Sequence, residues 1–254
     1  MRAFFHPDQH LHKPQHIFRY GKLIPPNDVP ERVDACLSAL ASLGVSVETP
    51  EDFGEAPALG VHTAPYVAFL KTAYERWQTL PNAGADVLPN TFPYWSGRPE
   101  WDERPPPRPT AIAAQTGFYL GDLSVPMMRD SWRAILVAAH CAAAAADAVI
   151  AGERVAYALC RPPGHHARRD RASGFCYLNN AAIAAQRLAA KFGRVALLDV
   201  DTHHGDGSQQ IFYRRGDVLT VSLHGDPTAY YPFFTGYEDE RGEGPGTGAN
   251  LNIP

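Results

Sequence analysis

No uninterrupted apolar run in this chain reaches the ~18 residues that a membrane helix needs. The longest stretch, residues 134–150, is broken by His140 and Asp147. Nothing leader-like opens the sequence, so the expected location is the cytoplasm. Cysteine is scarce. Cys36, Cys141, Cys160 and Cys176 show no CxxC spacing, which excludes a zinc ribbon and a redox pair. They read as reduced, buried small residues of a cytosolic protein. An excess of basic charge is also lacking: the net charge is -4 and the pI near 6.2. That balance excludes the electrostatic footprint of nucleic-acid binding and weakly suits a cationic substrate. No internal repeat is evident. What is present is a globular composition, 45% hydrophobic and 20% charged over 254 residues, enough for one α/β domain over 1–254.

Residues 2–5 read as a short buried strand, followed by a polar loop holding His6, His10, His12 and His16. These histidines have no carboxylate or cysteine at ligand spacing, so the loop is read as solvent-exposed or channel-lining. Pro30-Glu31-Arg32 opens a helix with Val33, Leu37, Leu40 and Leu43 on one face, ended by Gly44. A strand is expected at 45–47 and an amphipathic helix over 64–80, with Tyr66, Phe69, Leu70, Ala73 and Trp77 facing the core. Residues 81–110 are rich in Pro, Trp and Arg and read as an insertion over the site or an oligomer contact. An alanine-rich helix follows over 131–151. Then comes a strand–helix–strand pattern: 155–159, 180–191, 195–200, with a further strand at 218–223. Apolar strands without alternation predict a parallel sheet covered on both faces.

In parallel α/β sheets ligands bind beyond the carboxyl ends of the strands. His165 and His166 follow the strand at 155–159. Asp199, Asp201, His203 and Asp206 follow the strand at 195–200, and Ser222-Leu223-His224 closes the next one. All three clusters therefore meet on one rim. Asp201 and His203, two apart in an extended segment, can share one ion, and zinc accepts a carboxylate with an imidazole. Catalytic zinc needs three protein ligands; only two can be named. The adjacent His165 and His166 suit acid/base work instead. Each needs a carboxylate to fix its tautomer, and Asp199 and Asp206 are available.

Four motifs carry a resemblance: Arg161-Pro162-Pro163-Gly164-His165-His166; Gly174-Phe175-Cys176-Tyr177-Leu178-Asn179-Asn180; Asp199 through Gly207; and Val221-Ser222-Leu223-His224. With them the chain resembles the zinc-dependent histone deacetylase family, of the arginase/deacetylase fold. Residues 81–110 with Gly117-Phe118-Tyr119 resemble its acetylpolyamine amidohydrolase branch, where this loop narrows the entrance and builds a homodimer. The resemblance implies a three-layer αβα fold with a central, mostly parallel sheet. It implies zinc on Asp201 and His203, His166 as general base oriented by Asp206, and His165 paired with Asp199 as electrostatic partner. Gly174 and Phe175 would line the substrate tunnel opposite Tyr231, where the family usually has Phe. Asp122 would be an acidic rim group. Potassium would lie on Asp199, Ser222 Oγ and the backbone oxygens of Asp201, His203 and Leu223. The implied substrate is a small cationic acetylated amine, with acetylated protein lysine second.

The family's third zinc ligand, an aspartate, and its oxyanion tyrosine belong to a later part of the fold. Neither occurs before Pro254. The expectation is a fold whose C-terminal part is missing from this chain, with an exposed sheet edge, weak zinc binding and little activity. Two alternatives follow: a non-catalytic remnant of the family, and an arginase-like manganese ureohydrolase. The second leaves the histidine pair unexplained.

Overall fold

The computed structural model describes residues 1–93 and 107–254. Among the described residues, eight strands and seven helices make up an α/β chain, as expected. Strand β1 (Arg2–Phe4) pairs in parallel with β4 (Val47–Glu48) on one side and β5 (Ala156–Ala158) on the other. Helix α1 (Glu31–Ser42) lies on one face of this sheet, where Val33 packs with Phe5 and Leu159. Helix α5 (Ser131–Ile150) lies on the other, where Cys141, Ala144 and Ala148 meet Phe4. Helix, sheet and helix form the three expected layers here. A second parallel sheet has the order β6 (Val195–Asp199), β7 (Val218–Leu223), β8 (Asn250–Ile253). It rests on helices α6 (Asn180–Phe192) and α7 (Asp206–Phe212).

The strands thus divide into two three-stranded parallel sheets, and β5 and the end of β6 at Asp199 line one cleft. The sequence predicts one open edge; among the described residues the two sheets leave four, at β4, β5, β6 and β8. The predicted cover on both faces is also partial. Helices cover one face of β6–β7–β8, while Leu198, Val200, Leu219 and Leu223 on the other face are exposed.

The central core joins helix α3 (Ala64–Trp77), helix α4 (Ile112–Tyr119), α5 and α6 around Tyr66, Phe69, Leu70, Leu120, Ile135, Tyr177 and Ile183. Alanines let α5 and α6 pack closely; α5 shows Ala142, Ala143, Ala145 and Ala146 buried in sequence. Although no unbroken apolar run exists, α5 is long and apolar enough by composition to cross a membrane; most of it is buried, as in a core helix. Several short elements are not predicted by the sequence, among them the hairpin of β2 (Ile17–Arg19) and β3 (Lys22–Ile24) and the turn of helix α2 (Ala56–Leu59). The N-terminal histidine loop also departs from its reading. His12 is buried, with Nδ1 3.0 Å from Ser131 Oγ and its ring edge-on to Tyr177. Part of the Pro/Trp/Arg insertion, residues 94–106, lies outside the described residues.

Candidate active site

The loop after β5 carries the histidine pair, and buried side chains fix where it starts. Arg161 N donates to Gln9 Oε1, and its guanidinium donates to Gln9 O, Asp28 O and Asp28 Oδ1. Asn179 fixes where the loop ends. Its Oδ1 caps α6 by accepting from Ala182 N at 2.9 Å, while Nδ2 donates to Ala167 O and Ser208 Oγ, each at 3.1 Å. Between these anchors, Gly164 passes so close to Asn180 N that a Cβ would sit 2.5 Å from it.

His165 Nδ1 lies 2.9 Å from Asp199 Oδ2, and His166 Nδ1 lies 2.7 Å from Asp206 Oδ1. The two rings are 3.9 Å apart between centroids. Asp206 also accepts from Arg168, at 3.0 Å from Nε and 2.9 Å from Nη2. Burial would raise the Asp206 carboxyl, but its bonds to His166 and Arg168 hold it below the usual carboxylate range. The histidines separate. Burial is the main cause that lowers His166; with the smaller charges of His165 and His203 it outweighs what Asp206 restores. Burial also lowers His165, but the Asp199 bond and the charges of Asp199, Asp201 and Asp206 overcome it and raise the ring above its ordinary value. Two adjacent imidazoles pushed in opposite directions suit two different tasks.

Asp201 and His203 share the next turn. Asp201 Oδ1 accepts from His203 N at 2.8 Å and lies 3.0 Å from His203 Nδ1. The His203 ring stands 6.0 Å from that of His166 and stacks on Tyr230, 4.8 Å away with planes 7° apart. Among the described residues no third His, Cys, Asp or Glu joins this pair as a ligand. Asp199 and Ser222 are direct partners in the parallel register, and Leu223 follows at the strand end. Ser222 Oγ is also 2.8 Å from His224 Nδ1.

Of the residues expected to line a tunnel, Gly174 and Tyr231 lie against the His166 ring. Gly174 and Phe175 both take positive φ, +53° and +67°. Any Cβ at Gly174 would overlap the His166 ring, which is why the position needs glycine. Tyr231 meets His166 edge-on at 5.0 Å and donates from its hydroxyl to Asp122 Oδ2 at 2.8 Å. The same oxygen accepts from Gly174 N at 2.9 Å, and Ser124 N and Oγ hold the other oxygen. Asp122 therefore ties Tyr231 to the Gly174 backbone beside His166. Sequence reasoning missed Arg168 and Tyr230. Arg168 lies two residues past His166 and Tyr230 next to Tyr231, but nothing in their spacing signals a role.

The sequence matches the family described as histone deacetylase domain over residues 27–254. The chain belongs to the histone deacetylase family. By family it is a hydrolase. It is 48% identical to an acetylpolyamine amidohydrolase of Burkholderia pseudomallei, a match spanning all of this chain and 72% of that one. It is 45% identical to acetylpolyamine amidohydrolase 1 of Pseudomonas aeruginosa, with the same coverage. A crystal structure of the acetylpolyamine aminohydrolase from Burkholderia pseudomallei covers the whole chain with a TM-score of 0.94 and 48% identity. This chain again spans 72% of that one.

Proposed function

We propose that this site hydrolyses the amide of small cationic acetylated amines, acetylpolyamines before acetylated protein lysine, releasing acetate and free amine. The observation that carries the reading is the oriented pair His165–Asp199 and His166–Asp206 beside Asp201 and His203. With Nδ1 held by Asp206, His166 keeps Nε2 as the atom that takes a proton from water and returns it to the leaving amine. His165, held by Asp199, supplies positive charge beside it.

The donor set fits a divalent ion as two ligands. Asp201 Oδ1 and His203 Nδ1 are 3.0 Å apart, against about 3.3 Å for neighbouring ligands of tetrahedral zinc with bonds near 2.0–2.1 Å. Zinc bound there would polarise an amide carbonyl and a water. Asp199, Ser222 and Leu223 would hold a structural potassium ion. Asp122 is assigned to the far amine of the substrate, since neutral donors fix its carboxylate against Gly174 and Tyr231.

With zinc in excess, acetate release from N-acetylputrescine should exceed that from an acetyl-lysine peptide. His166→Ala should reduce it at least about 100-fold. Preference for the peptide, or indifference to the substitution, would overturn the reading. Asp122→Asn should raise KM for N-acetylputrescine about tenfold and leave an uncharged acetylated alkylamine unaffected.

A further inference from the structure

The two histidine–carboxylate pairs differ in what holds the carboxylate. Asp199 Oδ2 faces His165, and its Oδ1 accepts from Asp201 N, two residues on, at 3.0 Å. A local turn thus sets that side chain. Among the described residues Asp206 has no such backbone donor. Its Oδ1 lies 2.7 Å from His166 Nδ1, and its Oδ2 accepts only from Arg168, from Nε at 3.0 Å and from Nη2 at 2.9 Å. The backbones around this contact are fixed on both sides. Arg168 N donates to Arg171 O, and Arg168 O accepts from His62 Nδ1, each at 2.9 Å. Helix α7 starts hard against the histidine loop: Ser208 N donates to His165 O at 3.1 Å, and a Cβ on Gly207 would lie 2.4 Å from Ala167 O. What is left free is the side-chain rotamer of Asp206. A buried carboxylate oxygen without a donor is costly, so without Arg168 the carboxylate would turn to find one. Solvent has a way in, because Arg168 and Asp206 both line a cavity of about 550 Å³ with Arg169, Gln209 and Gln210.

We infer that Arg168 is a positioning residue for His166: its guanidinium locks the Asp206 rotamer that presents Oδ1 to His166 Nδ1, and it shields that hydrogen bond from the cavity. Under the hydrolysis proposed above, the lock keeps Nε2 as the atom that moves the proton. Only that consequence rests on the catalytic reading; the lock itself does not. His165 has no counterpart, because a backbone amide already sets Asp199. Loss of the guanidinium therefore separates the two pairs, loosening one and sparing the other.

Proton NMR of the 254-residue chain, labelled with 15N-histidine and held at neutral pH, follows the Nδ1–H protons of His165 and His166. Each is identified by its disappearance on substitution by glutamine. Arg168→Met keeps an unbranched stem and removes the donors. Exchange of the His166 Nδ1–H with water should then quicken at least about tenfold, while that of His165 stays as in the unsubstituted chain. Arg168→Lys keeps the charge but not the fork of two donors, so its exchange should fall between. Circular dichroism checks the fold of each variant, and Arg168→Gln takes the place of Arg168→Met if the latter does not fold. Unchanged His166 exchange in the variant without the charge would overturn the role. Equal quickening at His165 would overturn it too, because it marks general loosening. Neither metal nor turnover enters the measurement, so failure of the hydrolysis reading leaves its outcome standing.

Discussion

His62 joins two loops through the core: its Nδ1 donates to Arg168 O and its Nε2 accepts from Asn179 N, each at 2.9 Å. Burial pushes its pKa down to about 4, and that of His12 down to about 3. In the unfolded chain both titrate near 6.5. From pH 6.5 down to about 4 the unfolded state therefore binds more protons, and stability falls as pH falls. Each histidine contributes up to about 1.4 kcal/mol per pH unit. Urea midpoints at pH 7 and pH 5 should show this loss, and His62→Gln should make it shallower; an unchanged pH dependence would refute the assignment. Such residues also mark where sequence reading ends. His165, His166, Asp199 and Asp206 were legible because they gather at strand ends. His62 pairs with a residue 117 positions away, and no local pattern encodes that contact.

At the scale of the element, Asn179 is where helix α6 and the histidine-pair loop meet. Its side chain caps the helix and also holds Ala167 O and Ser208 Oγ. Asn179→Ala should cost about 3 kcal/mol, a cap plus two buried hydrogen bonds. Asn179→Asp keeps the cap and loses the donors, so its cost should fall between; chemical denaturation measures both. Helices α1, α3, α5 and α6 were legible from their apolar faces and their punctuation. Helix α4 was not, because Ile112-Ala113-Ala114 and Gly117-Phe118-Tyr119 leave no polar face to give a period. Helix α7 was hidden for a different reason. It has seven residues and begins at Asp206, a residue read for its chemistry.

For the whole molecule, the parallel α/β architecture followed from strand composition, but the division into two sheets did not. Strand order depends on which edges meet in space, and an apolar run such as Val195-Ala196-Leu197-Leu198 is the same in either arrangement. The two-donor site makes a bulk prediction. After zinc loading and desalting, the 254-residue chain should keep less than about a tenth of an equivalent, because three protein ligands are the rule for catalytic zinc. Retention of a full equivalent would refute it. The contrast between Asp206, 3% exposed, and the half-buried Asp122 carries further. Mobile ions reach one carboxylate and not the other. Rising ionic strength should thus raise KM for a charged amine while kcat holds, separating the encounter with substrate from the proton transfers that follow.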